Sequence, residues 1–288
     1  MILYKGMDAR TLEAQYNLGA LRPDLPDVMQ RWQERAARHV ATSDARVDLR
    51  YGGGERERFD FFPSGDANGP LLVYIHGGYW QRGDKNLYSW ISSAFMRHGV
   101  SVAIPNYDLT PSVRIGRIAP QLRRAMSRLW HDAAALGYAR ERMHVMGHSA
   151  GGHLTAMMMA TDWPAVDTAL PARLFRAAMP ISGLFELEPL VHTTINAGPR
   201  MDVDEARAES PCNLPPLTDA PQLVIAGARE PAELLRQSDD HAARIRTDAR
   251  RVERYNVPDA DHFDELEPLT DENSVLFGKV MALIHASQ

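Results

Sequence analysis

The chain has a single cysteine, Cys212, among 288 residues, which excludes an internal disulfide. That thiol sits in the proline-rich stretch Ser210-Pro211-Cys212-Asn213-Leu214-Pro215-Pro216, far from any metal-like cluster, and is read as inert. No uninterrupted apolar run approaches the roughly 20 residues of a membrane-spanning helix. Met1 to Asp8 lack the apolar core of a signal peptide, so the expected location is cytoplasmic. A basic excess is missing too. With 37 acidic against 32 basic residues the formal net charge is -5, which gives no general attraction to nucleic acid or anionic membranes. The expected partner is a small-molecule substrate, and nothing speaks against a homodimer. No H-E-x-x-H, paired-cysteine or P-loop pattern occurs, so neither a metal nor an organic cofactor is expected. Internal repeats and low-complexity tracts are likewise missing, and at 44% hydrophobic the chain reads as one domain over residues 1–288.

What is present has a clear order. Residues 1–45 read as an N-terminal extension of helical pieces broken around Pro23 and Pro26. Alternation then takes over in Val47–Tyr51 and Arg58–Phe62, separated by Gly52-Gly53-Gly54, which predicts a hairpin at a sheet edge. From Leu71 onward, short continuous apolar runs alternate with helical segments, the pattern of a parallel sheet covered on both faces. Strands are predicted at Leu71–Ile75, Val100–Pro105, Met143–Met146, Ala177–Ile181, Leu223–Ala226 and Arg251–Asn256. Helical spacing marks Ile115–Leu136, Leu234–Thr247 and Glu272–Ser287. Residues 186–221 are proline-rich and long for a plain connection, and are expected to lie over the site as a small cap.

The segment Gly147-His148-Ser149-Ala150-Gly151 matches G-x-S-x-G, directly after a predicted strand and directly before the helix-like run Gly152–Ala160. That context is the strand, sharp turn and helix of a nucleophile elbow, with Ser149 as nucleophile. Independently, His76-Gly77-Gly78-Tyr79-Trp80 follows the buried-type strand ending at Ile75. Glycines there let backbone N–H groups approach a developing oxyanion, which makes Gly77, Gly78 and Ala150 the candidate donors. His76 is assigned to holding the turn by hydrogen bonds to backbone.

A serine nucleophile needs a base and a carboxylate that orients the base, and in this arrangement both follow it in the chain, acid before histidine. His262 lies in a polar loop after the last predicted strand and before the final helix, the place for the base. His153 belongs to the nucleophile helix, and His241 is read as a helix-surface residue. Glu230 is the first carboxylate past Leu223–Ala226 and is chosen as the acid, with Glu233, Asp239, Asp259 and Asp261 as alternatives.

Taken together, His76-Gly77-Gly78-Tyr79-Trp80, Asn106-Tyr107-Asp108-Leu109, Gly147 to Leu154, Ser182 to Leu190 and Glu230 to Ser238 resemble the arylformamidases, also called kynurenine formamidases. These stand in the lipase and esterase branch of the α/β-hydrolases, and the likeness covers most of the chain. The resemblance implies the α/β-hydrolase fold, a triad of Ser149, Glu230 and His262, and hydrolysis of N-formyl-L-kynurenine to formate and L-kynurenine. The family often has aspartate where this chain has Glu230. A formyl group demands only a small acyl pocket, and an aromatic leaving group would stack on Tyr79, Trp80 or Tyr107. A carboxylesterase acting on short-acyl, aryl or carbamate esters is the competing reading, and a silent ligand-binding protein of the same fold is a third.

Overall fold

The computed structural model describes residues 1–215 and 217–286. Pro216, inside the 186–221 stretch, and Ser287, the end of the last predicted helix, lie outside the described residues. Eight strands form one sheet: β1 (Arg46–Arg50), β2 (Arg58–Phe62), β3 (Leu71–Ile75), β4 (Ser101–Pro105), β5 (Met143–His148), β6 (Ala178–Ile181), β7 (Gln222–Gly227) and β8 (Val252–Val257). Their order across the sheet is β1-β2-β4-β3-β5-β6-β7-β8. The β1–β2 hairpin is antiparallel and joins β4 antiparallel at one edge, while all pairings from β4 to β8 are parallel. Each of the six core strands expected from the sequence is present, with ends shifted by two residues at most.

Nine helices surround the sheet among the described residues: α1 (Ala9–Tyr16), α2 (Leu25–Thr42), α3 (Ser92–Arg97), α4 (Ile118–Leu136), α5 (Ala150–Met159), α6 (Trp163–Val166), α7 (Val203–Ala208), α8 (Ala232–Ile245) and α9 (Val275–Ala286). Strand periodicity divides the core between the two faces. Leu71, Val73 and Ile75 point into a layer with Leu12, Leu122 and Leu154. Leu72 and Tyr74 point the other way, into a layer with Trp32, Phe95 and Phe277. Burial on both sides is why β3, β4 and β5 read as unbroken apolar runs rather than alternating ones. Helix α4 ends on Gly137, whose φ of 86° supplies the left-handed stop.

The N-terminal segment packs back over the carboxyl ends of the strands. Pro26 does not break α2 but occupies its first turn, where a missing N–H costs nothing. Val28, Trp32 and Ala36 recur every fourth residue and form the buried stripe of α2. Arg22 Nη1 ties the segment down, reaching Asp261 Oδ2 at 2.5 Å and Asp264 Oδ2 at 2.9 Å.

The stretch 186–221 behaves differently from expectation. It consists of short 3-10 turns and α7, and it packs beside α1 and α5: Thr194 N donates to Glu13 at 2.8 Å, and His153 Nε2 donates to the Glu209 carbonyl at 2.8 Å. The roof of the site comes instead from residues 18–32, through Leu18, Leu25, Met29 and Trp32.

Candidate active site

Strand β5 runs straight into α5 through Ser149, whose φ of 59° and ψ of -120° lie in a region that side-chain-bearing residues rarely adopt. The turn survives because its neighbours lack side chains. A Cβ on Gly151 would stand 2.0 Å from the Ile75 carbonyl oxygen, and one on Gly147 would stand 2.3 Å from the Gly151 carbonyl oxygen. The strained turn thrusts Ser149 to the wall of a cavity at the start of α5, where the helix end favours negative charge.

The loop after β3 wraps against this turn. A Cβ on Gly77 would meet the His148 carbonyl oxygen at 2.8 Å and Ser149 Cβ at 3.1 Å, so only glycine brings this backbone so close to the serine. Gly78, Tyr79 and Trp80 follow with φ of 120°, 52° and 58°. Among the described residues, the amides of Gly77, Gly78 and Ala150 are not committed to a carbonyl in any turn or loop, which leaves them free to face an oxyanion. His76 lies behind, its Nδ1–H donated to the Gly77 carbonyl at 2.9 Å and its ring stacked on Tyr107 at 4.4 Å. Burial lowers its pKa to about 4, so it stays neutral and holds the turn.

His262 and Glu230 meet at the carboxyl end of the sheet. Glu230 follows β7, His262 follows β8, and His262 Nδ1 lies 2.5 Å from Glu230 Oε1 with both side chains buried. His262 also lines the same cavity as Ser149. Glu233, one of the alternative acids, is occupied elsewhere by Tyr16 and Arg236, and Asp239 by Arg254; Asp261 is held by Arg22.

The cavity holds about 220 Å³. Its walls include Leu18, Leu25, Met29 and Trp32 from the N-terminal segment, with Tyr79, Tyr88 and Phe263 from the core. Arg82, at its mouth, is the one lysine or arginine of the lining and is exposed. Of the three rings expected against a substrate, only Tyr79 lines it. Trp80 is fully buried and donates its indole N–H to His153 Nδ1 at 3.1 Å, while Tyr107 is fully buried and donates its hydroxyl to the His76 carbonyl at 2.8 Å. Both are packing residues, because the left-handed turn at Tyr79 and Trp80 directs the tryptophan away from the cavity and toward α5. The reading of His241 also changes. It is buried, stacked on Phe185 with ring centroids 3.9 Å apart, and neither ring nitrogen has a hydrogen-bond partner. Its polar neighbours along α8 masked a position that packs against Phe185.

Ser182, His148 and Glu265, next to the dyad, carry no assigned role in the sequence reading. Ser182, at the end of β6 with φ of 45°, places its hydroxyl 2.6 Å from Glu230 Oε2 and 2.8 Å from Glu265 Oε2. His148 Nε2 donates to the His262 carbonyl at 2.8 Å and lies 3.1 Å from Glu265 Oε1. Ligand-type atoms of His148, His262 and Glu265 gather within 4.8 Å; His262 Nδ1 is engaged with Glu230 and His148 Nε2 with the His262 carbonyl, so the cluster reads as a hydrogen-bond network. The signals were there: Ser182 ends a core strand, and Glu265 stands three residues past His262 in the same loop.

The comparisons with known proteins agree with this architecture. A family model described as BD-FAE matches residues 61–175. The kynurenine formamidase of Danio rerio is 26% identical over 99% of this chain and 99% of its own length. That of Salmo salar is 27% identical, covering 94% of this chain and 95% of its own. A candidate thioesterase of known structure from Silicibacter sp. TM1040 is 34% identical, with a TM-score of 0.81 over 94% of this chain and 98% of that one. An elbow serine, a buried histidine–carboxylate dyad on the same cavity and full-length likeness to these hydrolases lead to one conclusion: the chain is a hydrolase and belongs to the arylformamidase-like family of the α/β-hydrolases.

Proposed function

We propose that this enzyme is a serine hydrolase that cleaves a small acyl amide, with N-formyl-L-kynurenine as substrate and formate and L-kynurenine as products. Ser149 attacks the formyl carbonyl while His262 removes its proton, and Glu230 holds the imidazole and stabilises its protonated form. The oxyanion is received by amides of Gly77, Gly78 and Ala150. The His262 imidazolium then protonates the leaving arylamine nitrogen, and water repeats the cycle on the formyl-enzyme.

The observation that carries the substrate is the cavity. It is small, walled by the rings of Tyr79, Tyr88, Trp32 and Phe263, and carries one cation, Arg82, at its mouth. An aromatic amide with a compact acyl group and a carboxylate fits those three properties, and the two fish relatives bear the name of that activity. A cytoplasmic setting goes with this proposal and with the free thiol of Cys212.

The likeness to the Silicibacter candidate thioesterase favours a second reading, hydrolysis of esters or thioesters, because the same machinery attacks a better leaving group more readily. Steady-state rates on N-formylkynurenine, p-nitrophenyl acetate, an aryl carbamate and an acyl thioester separate the two. Preference for the formamide in kcat/KM supports the first reading; negligible formamide turnover beside fast ester or thioester turnover replaces it with the second.

A further inference from the structure

The hydroxyl of Ser182 has one hydrogen and stands within hydrogen-bond distance of two buried carboxyl groups, Glu230 and Glu265. Hydrogen accounting resolves the contact. Glu230 Oε1 accepts from His262 Nδ1–H, and Glu230 Oε2, at 2.6 Å, accepts the Ser182 hydrogen. The remaining 2.8 Å contact, between Ser182 Oγ and Glu265 Oε2, is attractive only if the hydrogen sits on Glu265. Glu265 is fully buried, and its ion-pair partners among the described residues are His148 and His262, with no lysine or arginine.

We propose that Glu265 is a neutral carboxylic acid at neutral pH and serves as a positioning residue: it donates to Ser182, which donates to Glu230, which orients His262. The groups facing it are Glu230 from the loop after β7, His148 from the end of β5, Tyr74 from β3, and Asp261 and His262 from its own loop. Burial first, then the charge of Glu230, pushes its pKa well above the ordinary carboxylate range. His148 is pushed well below the usual histidine range by burial, so it offers no positive charge that would ionise Glu265. The chain of donors has one direction and leaves Glu230 with two hydrogen bonds that fix its plane. The positioning role rests on the reading of Glu230 and His262 given above; the proton on Glu265 does not.

The proton is read directly by infrared spectroscopy of the wild-type enzyme carrying isotope-labelled glutamate, compared with Glu265→Gln. A carboxylic acid C=O band at pH 7 that is missing in Glu265→Gln is the expected result; its absence from the wild type overturns the proposal. The role is read from kcat on p-nitrophenyl acetate. Glutamine reproduces the neutral donor, so Glu265→Gln loses far less than Glu265→Ala, by a margin of about tenfold. Equal losses in the two variants overturn the positioning role.

Stability supplies a readout independent of turnover. A raised folded-state pKa means that the contribution of Glu265 is lost as pH rises above its unfolded value, and glutamine has no such loss. The thermal midpoint of Glu265→Gln therefore gains on wild type between about pH 5 and pH 8. A constant difference counts against the proton on Glu265. Ser149→Ala tests the underlying reading separately: if it retains turnover the triad assignment fails, while the infrared band still reports on Glu265.

Discussion

The indole N–H of Trp32 donates to Glu267 Oε1 at 2.9 Å, while the ring of the same tryptophan walls the cavity that holds Ser149. One side chain thereby couples the docking of the N-terminal helix to the loop that carries His262. Arg35 reinforces the joint, reaching Glu267 at 2.5 Å and lying 3.9 Å over the Trp90 ring. Replacing Trp32 by alanine removes a buried ring and its anchor together. The expected cost is about 3–5 kcal/mol of stability. Denaturant titration reads that loss, and a KM increase for the aromatic formamide accompanies it because the roof of the cavity opens.

Arg82 is predicted to set selectivity between charged and uncharged substrates. Its position at the mouth is solvated, so pairing with a carboxylate is worth only about 1 kcal/mol. Arg82→Ala should raise KM for N-formylkynurenine about three- to tenfold. The uncharged p-nitrophenyl acetate should respond much less. Equal effects on both substrates would remove Arg82 from substrate recognition.

Ser149→Ala and His262→Ala should each lower kcat by about 10⁴-fold or more, with circular dichroism and thermal midpoint close to wild type. Glu230 is the more informative position, because Glu265 Oε1 already lies 3.9 Å from His262 Nδ1. We expect Glu230→Gln to lose about 10⁴ in kcat, since an amide carries no charge and offers one acceptor oxygen where the carboxylate uses two, for His262 Nδ1–H and for Ser182. Glu230→Ala, which leaves space, should lose less if Glu265 ionises and takes over. Near-wild-type turnover in both variants would overturn the assignment of Glu230.

Acid should unfold this protein through its buried histidines. Burial lowers His144 and His241 to about 3, and His76 and His153 to about 4. Each stays neutral in the folded chain but binds a proton when unfolded below the ordinary histidine pKa of about 6.5. The unfolded state thus holds more protons between about pH 6.5 and pH 4, and stability falls as pH falls through that window. His241, stacked on Phe185 with no hydrogen-bond partner, is the cleanest probe. Substituting His241→Phe should flatten the decline, measured as urea midpoints at pH 7, 5.5 and 4.5, by up to about 1.4 kcal/mol per pH unit.

The strand–serine–helix turn at Ser149, the glycine loop after β3 and the chain order Ser149, Glu230, His262 were legible along the chain because each depends on local geometry. A glycine is demanded wherever backbone crosses backbone, as at Gly147 and Gly151, and a continuous apolar run is demanded wherever a strand is buried on both faces. Glu230 and His262 were found for a related reason, since a parallel sheet delivers the loops after its strands to one edge. Residues whose role depends on what packs against them were not legible. Trp80 and Tyr107 looked like free rings beside the site and turned out to be walled in, and His241 looked exposed and is buried.

Periodicity and steric necessity within short segments fix the parallel sheet and the strained serine, and the parallel order of β7 and β8 brings the loop of Glu230 to that of His262. That residues 18–32 rather than 186–221 roof the cavity, and that Glu265 and Ser182 stand behind the dyad, follows from long-range packing alone. Both outcomes are contacts between segments far apart in the chain: the N-terminal segment shares the cavity with His262 and Phe263, and Ser182 meets Glu265 across 83 positions. Such contacts are selected by burial of whole apolar faces and by the matching of single hydrogens to single acceptors, and neither quantity has a local period that a sequence displays.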